Sequence, residues 1–174
     1  MAGVLTSPSV DTFPPQISAA VRDATVEFFR STCGLKCEEL AQPNYESSGN
    51  EIMSTISFVG NPSWVFSLVL PADTAVIVAK KFAGFDIPLE SPDMGDVVGE
   101  VVNVIAGGIC ARLDAKGIKA QMSLPTVARG ANLSLLVPSG AATSRMGFTD
   151  ANGTLWVQLV KDQGGTAMGR RPGT

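Results

Sequence analysis

Between residues 52 and 70 apolar side chains recur at every second position on both sides of a Gly60-Asn61-Pro62 turn, and no other pattern constrains the fold as tightly. Ile52, Ser54, Ile56 and Phe58 share one face of the first run, and Trp64, Phe66, Leu68 and Leu70 share one face of the second. Period two sends successive side chains to opposite sides of an extended chain, so two such runs around a Gly/Asn/Pro turn predict a β-hairpin. A second hairpin is expected from residues 142–149 and 155–161, joined through Ala-Asn-Gly-Thr at 151–154. Asn152-Gly153 is a strong signal there, because tight hairpin turns need positive φ, which Asn and Gly tolerate. Further strands are expected at 118–124 and 133–137, with a possible one at 35–40.

Helical spacing appears three times. Pro14-Pro15 opens a pattern with Ile17, Ala20, Val21, Ala24, Phe28 and Phe29 on one side, closed by Gly34. Residues 73–82 carry Val76, Ala79 and Phe82 at helical spacing, with Gly84 as the expected C-terminal stop. The longest helix is expected from Pro92 to about Lys116. Ser91 suits its N-cap, Pro92 the first turn, Asp93 the positive end of the dipole and Gly117 the position after the end. Residues 1–13 and 163–174 read as flexible termini around a single domain at 14–162.

Composition narrows the chemistry. A chain of 174 residues, 45% hydrophobic, has the size of one domain and can bury a core without disulfides or a structural metal. The net charge of −3 argues against a nucleic-acid surface, which requires clustered Lys and Arg. The chain has no histidine, so Ser-His-Asp and Cys-His catalysis, HExxH zinc chemistry and His-ligated metal sites are excluded. Three cysteines, Cys33, Cys37 and Cys110, are too few for a closed zinc site and read as reduced thiols. Residues 1–21 hold no Lys or Arg and no apolar core of a signal peptide, and no stretch is expected to reach the ~18 apolar residues of a membrane span. The expectation is a soluble, acidic, cytoplasmic domain without membrane or nucleic-acid partners.

The run DVVGEVVNVIAGG at 96–108 is rich in β-branched residues, which by propensity favour a strand, yet its spacing is helical. At ~100° per residue with Asp96 at zero, Glu100 falls near about 40°, Asn103 near about −20°, Gly107 near about 20° and Cys110 near about −40°. Val97, Val98, Val101, Val104, Ile105 and Ile109 spread around roughly 170° on the same wheel. The polar stripe is therefore Asp96, Glu100 and Asn103, continued by the small residues Gly107, Cys110 and Ala111. Glycine costs about 1 kcal/mol against alanine inside an exposed helix, so Gly99, Gly107 and Gly108 imply that something comes close. A Glu and an Asn three apart also suit a plain solvated face, and the glycines suit helix–helix packing. A metal-dependent hydrolase is disfavoured: Asp93, Asp96 and Glu100 are the hard-oxygen ligands on this helix, and no second cluster is visible.

Asp96-x3-Glu100-x2-Asn103, followed after 21 residues by Pro125, resembles the D/S-x3-E-x2-N-x21/22-P signature of the CheC/CheX/FliY chemotaxis phosphatase family. GEVVNVIAGG at 99–108 resembles that family's GELxNMxAG, and SLPTVARG at 123–130 its xPPTVVxG. FSLVLPADTAVIVAKKFAG at 66–84 resembles the strand and helix before the catalytic helix, and ATVEFFRSTCG at 24–34 the CheX N-terminal helix. The likeness covers about residues 20–160, and the single signature helix points to the CheX-like branch. Asp23-x3-Glu27-x2-Arg30 has the same offsets but places Arg where Asn is needed, so it is not taken as a second site. Val102 stands where the family keeps a small residue, and a bulkier side chain there would bear on how closely a partner docks.

The resemblance implies an α/β (α+β) fold, a long antiparallel-rich sheet with helices packed on it and one exposed catalytic helix. It implies a phosphatase acting on the aspartyl phosphate of a CheY-like response-regulator receiver. In that role Asn103 positions the attacking water and Glu100 pairs with the receiver's active-site Lys, with Asp96, Gly107 and Pro125 in the partner-binding surface. This chain needs no cofactor, since Mg²⁺ is expected on the receiver. A homodimer is implied as well. The alternative is a non-catalytic module that binds a receiver or a flagellar-switch component through the same helix.

Overall fold

A computed structural model describes residues 13–45, 47, 49–137 and 141–161. Among these residues three helices and seven strands follow one another as α1 (Pro15–Ser31), β1 (Glu38–Glu39), β2 (Asn50–Gly60), β3 (Trp64–Pro71), α2 (Ala72–Ala83), α3 (Pro92–Asp114), β4 (Ala120–Met122), β5 (Thr126–Ala131), β6 (Thr143–Asp150) and β7 (Gly153–Lys161). The strands make one antiparallel sheet in the order β1-β6-β7-β3-β2-β4, with β5 also paired to β2. This is the expected α+β arrangement of an antiparallel sheet with packed helices.

The central hairpin forms in the expected register, with Ile52 opposite Leu70, Ile56 opposite Phe66 and Phe58 opposite Trp64. Their shared face continues through Leu155, Val157 and Leu159 of β7 and Met146 and Phe148 of β6, all buried. Phe58 and Trp64 stack with ring centroids 4.0 Å apart, and Phe13 meets the Trp64 ring edge-on at 6.3 Å. Phe13, just before Pro14, is buried in the core. The remainder of the expected flexible leader, 1–12, and the expected tail, 163–174, lie outside the described residues.

The helix ends follow local chemistry. Ser91 Oγ accepts a hydrogen bond from the Asp93 N–H at 3.2 Å, capping α3 as its sequence predicts. Gly84 closes α2 with φ +85°, a left-handed conformation that glycine adopts without a Cβ clash. α1 buries the expected Ile17, Ala20, Val21, Ala24, Phe28 and Phe29, and Phe28 packs on Phe82 of α2 at 5.8 Å. α3 is also long and apolar enough, by length and composition, to cross a membrane, which corrects the expectation that no stretch reaches that measure. Here Met94, Val98, Val101, Val102, Ile105, Ala106, Ile109 and Leu113 of α3 are buried inside the protein.

Three strand expectations change. The stretch at 35–40 pairs only at Glu38–Glu39, because the Leu35 N–H donates to Phe29 O at 2.9 Å and ties the preceding segment back to α1. No strand forms at 133–137. Instead β5 forms at Thr126–Ala131, and its ladder ends where β2 begins, Ala131 opposite Asn50. Asn132 turns away with φ 54°, and the Leu133 N–H donates to the Glu51 carboxylate at 3.2 Å. Glu51 is buried and also accepts from Tyr45 Oη at 2.6 Å; burial, then that carboxylate, push the Tyr45 phenol up to about 12. The expected 118–124 strand contracts to β4.

Strand β2 carries two partners in line on one edge. β4 pairs with its last residues, Phe58 to Gly60, and β5 with Asn50 to Thr55. Between them Ser123, Leu124 and Pro125 bridge the gap. The Ser123 N–H donates to Ser57 O at 2.9 Å, the Ser57 N–H donates to Ser123 Oγ at 3.0 Å, and Ser123 Oγ donates to Leu124 O at 2.9 Å. This short bridge is thus fastened to the sheet and lies beside α3.

Candidate active site

The exposed stripe of α3 is rotated from the one its sequence predicts. Asp96 and Glu100 are exposed, as expected, whereas Asn103, expected to be exposed, is half-buried, and Val104 is 43% exposed and lies on the stripe instead of in the core. Val102, at 0%, faces the core, so its bulk does not stand between Asn103 and an approaching partner. The wheel explains the shift: the buried residues centre near about 210°, not 170°, because α1 and the sheet both cover α3 and draw Val102, Ala106 and Leu113 inward.

Asn103 Nδ2 donates to Glu100 Oε2 at 3.4 Å, one helical turn away. An open depression beside them is lined by Gly95, Asp96, Gly99, Glu100 and Asn103 from α3 and by Leu124, Pro125 and Val127 from the β4–β5 bridge and β5. The structure therefore brings Asp96, Glu100, Asn103 and Pro125 together. Gly107 is further along the stripe and does not line the depression. Leu124 and Val127 were not singled out by sequence. The motif marks Pro125, but only the fold reveals that its neighbour Leu124 stands 87% exposed.

The three glycines of α3 have different surroundings. A Cβ on Gly99 would meet Val127 Cγ2 at 3.5 Å and Pro125 Cγ at 3.7 Å, so the near object is the chain's own bridge. A Cβ on Gly108 would meet Ala24 of α1 at 3.5 Å and the Arg112 guanidinium at 3.3 Å, the latter held by a 3.0 Å hydrogen bond from Nη1 to Gly108 O. Gly107 faces open space, and no described part of this chain accounts for it.

Among the described residues no Lys or Arg pairs with Asp93, Asp96 or Glu100, whereas Glu27 of α1 is neutralised by Arg30 and Glu90 by Arg129 at 3.3 Å. The Glu27–Arg30 pair agrees with reading the α1 copy of the motif as no second site. Thiol chemistry is not offered either: burial pushes Cys33 and Cys37 up to about 11, and burial also raises Cys110. What remains is the half-buried Asn103 carboxamide beside the exposed Glu100 carboxylate, an amide that can donate to an oxyanion or accept from a water without titrating.

The family model described as chemotaxis phosphatase CheX matches residues 52–149, more than half of the chain and the whole of this site. No curated protein matches the sequence. Solved structures agree on the fold. A CheC-like superfamily protein from Shewanella sp. PV-4 is 19% identical with a TM-score of 0.76, over 86% of this chain and 99% of that one. The chemotaxis protein CheX from Desulfovibrio desulfuricans is 22% identical with a TM-score of 0.72, over 84% and 99%. The CheX of a CheX–CheY–BeF3–Mg complex from Borrelia burgdorferi is 19% identical with a TM-score of 0.68, over 84% and 98%. With Asp96, Glu100 and Asn103 along one face of α3, Pro125 beside them and the family model laid across all four, the chain belongs to the CheC/CheX/FliY family of chemotaxis phosphatases.

Proposed function

We propose that this protein hydrolyses the aspartyl phosphate of a CheY-like receiver, using Asn103 to hold the attacking water. The observation that carries this reading is the Asn103 carboxamide, on the solvent-facing stripe of α3 and one turn from Glu100, with no competing cation among the described residues. An acyl phosphate is already activated, so hydrolysis needs no protein nucleophile. It needs a water in line with the breaking P–O bond and stabilisation of the charge that develops. The amide oxygen accepts a hydrogen bond from that water, orienting it for attack, and Glu100 accepts one from the other end of the amide. The free carboxylate oxygen of Glu100 pairs with the receiver's Lys and fixes how the helix enters. Mg²⁺ belongs to the receiver's own carboxylates. Asp96 and Pro125 border the entry, and the open face of Gly107 lets the partner's backbone lie close to α3. The working unit is 14–162, acting in the cytoplasm with no membrane or nucleic acid involved.

The test is phosphate release from a panel of phosphorylated CheY-like receivers with and without the protein. Accelerated release is expected for at least one receiver. Binding of the phosphorylated receivers without acceleration of any would replace this reading by that of a non-catalytic receiver-binding module. Glu100→Ala is expected to cut kcat/KM by about tenfold or more, since it removes a charge-assisted contact, and Glu100→Gln is expected to restore little. Wild-type turnover in Glu100→Ala would remove that residue's assigned role.

A homodimer accompanies this reading. The outer edges of the sheet are poor templates for pairing: β1 is two residues long and both are glutamates, and Pro125 interrupts the β4–β5 edge. The sheet face away from the helices, with Thr55, Val65 and Val160, is the surface proposed for self-association. Light scattering is expected to return twice the mass of one chain at micromolar concentration, and a single-chain mass throughout would refute it.

A further inference from the structure

On the helical wheel, Gly99 near about −60° faces Pro125 and Val127, Asn103 and Glu100 follow near about −20° and 40°, and Val104 stands near about 80°. The polar pair thus runs between two apolar flanks. One is Leu124, 87% exposed at the top of the bridge; the other is Val104, 43% exposed on the helix itself. An exposed leucine on a loose loop would mean little, but the backbone carrying Leu124 is fastened to β2 on one side at Ser123, by hydrogen bonds of 2.9 and 3.0 Å to Ser57, and on the other at Thr126, which pairs with Thr55. Its side chain is held in water without any described residue covering it, at the mouth of the depression that holds Asn103.

We propose that Leu124 and Val104 form an apolar clasp that docks the receiver on either side of the Glu100–Asn103 pair and selects which receivers are accepted. This inference rests on the phosphatase reading above. The occupant is argued from continuity and charge. The clasp adjoins the helix turn that must reach the phosphoryl group, and Asp93, Asp96 and Glu100 between and beside its arms, without an ion pair among the described residues, favour a partner with an ammonium at its centre. A receiver offers that: a Lys beside its phosphorylation pocket, with neighbouring surface to meet the two flanks. Glu100 and Asn103 act on groups common to all receivers, so discrimination falls to the flanks, where apolar fit varies from one partner to another.

The experiment measures binding of the full chain to beryllofluoride-loaded CheY-like receivers, in parallel with steady-state dephosphorylation. Leu124→Ser is expected to weaken binding by about tenfold or more and to raise KM by the same factor, and Val104→Ser by about threefold. Leu136→Ser is the control, since Leu136 is 94% exposed but does not line the depression, and it is expected to stay within about twofold of the unaltered protein. Thermal unfolding of all three is expected to be unchanged, because the side chains are exposed. Unaltered affinity in Leu124→Ser, or an equal loss in Leu136→Ser, would overturn the clasp while leaving the phosphatase reading intact. Binding of no loaded receiver by the unaltered protein would overturn both.

Discussion

Asn103→Ala is expected to reduce receiver dephosphorylation by about a hundredfold or more, because in-line placement of a reactant is worth several kcal/mol and no other exposed amide lines the depression. The same change is expected to leave stability almost untouched. Asn103 is half-buried, its one described hydrogen bond is 3.4 Å long, and alanine is the better helix former. Asn103→Asp keeps the shape but sets a negative charge beside the phosphoryl group, and a loss of similar size is expected. Affinity for a beryllofluoride-loaded receiver is expected to fall much less than turnover, since the amide acts mainly in the transition state. Phosphate release and thermal unfolding of each variant check this directly. A folded Asn103→Ala protein as fast as the unaltered one would end the water-positioning mechanism.

The opposite side of the same helix is expected to give the opposite result. Ile105 is 1% exposed in the core between α3 and the sheet. Truncation to alanine removes buried methylenes and leaves a cavity, costing about 2–5 kcal/mol. For a domain of this size that corresponds to a fall in Tm of about 5–15 °C. Below its own transition Ile105→Ala is expected to keep turnover within a few-fold, because it touches neither the depression nor the flanks. Calorimetry alongside the phosphate assay separates the two faces, and an unchanged Tm would show that α3 is not packed as described.

The two hairpins and three helices were legible because each rests on local chemistry: period-two runs around tight turns, a Ser91 cap, a Gly84 stop. The motif likewise named four residues that the fold brings together, Asp96, Glu100, Asn103 and Pro125, because helical periodicity fixes the first three and the proline follows at the bridge. Longer-range facts were not legible. Val104 looks like a core residue by composition, and only the double covering of α3 turns it outward. TVARGA at β5 carries a weak alternation and becomes a strand because β2 is long enough to pair along its length. The 133–137 segment has strand composition but pairs with no strand, because the chain turns away at Asn132. Buried Glu51 takes the Leu133 N–H in place of a ladder.

Strand β2 gives the molecule a common ruler. α3 packs across it, and the bridge bearing Leu124 and Pro125 hangs from its outer edge at Ser57. The separation between amide and rim is therefore set by one continuous segment of backbone, not by the sum of several loops. Such a layout tolerates drift. Strands β1, β6 and β7, on the far side of β3, can change in sequence or slide by fractions of an ångström without altering the distance that matters. What the gap demands of the sequence is only that the ruler keep its length and its two attachments.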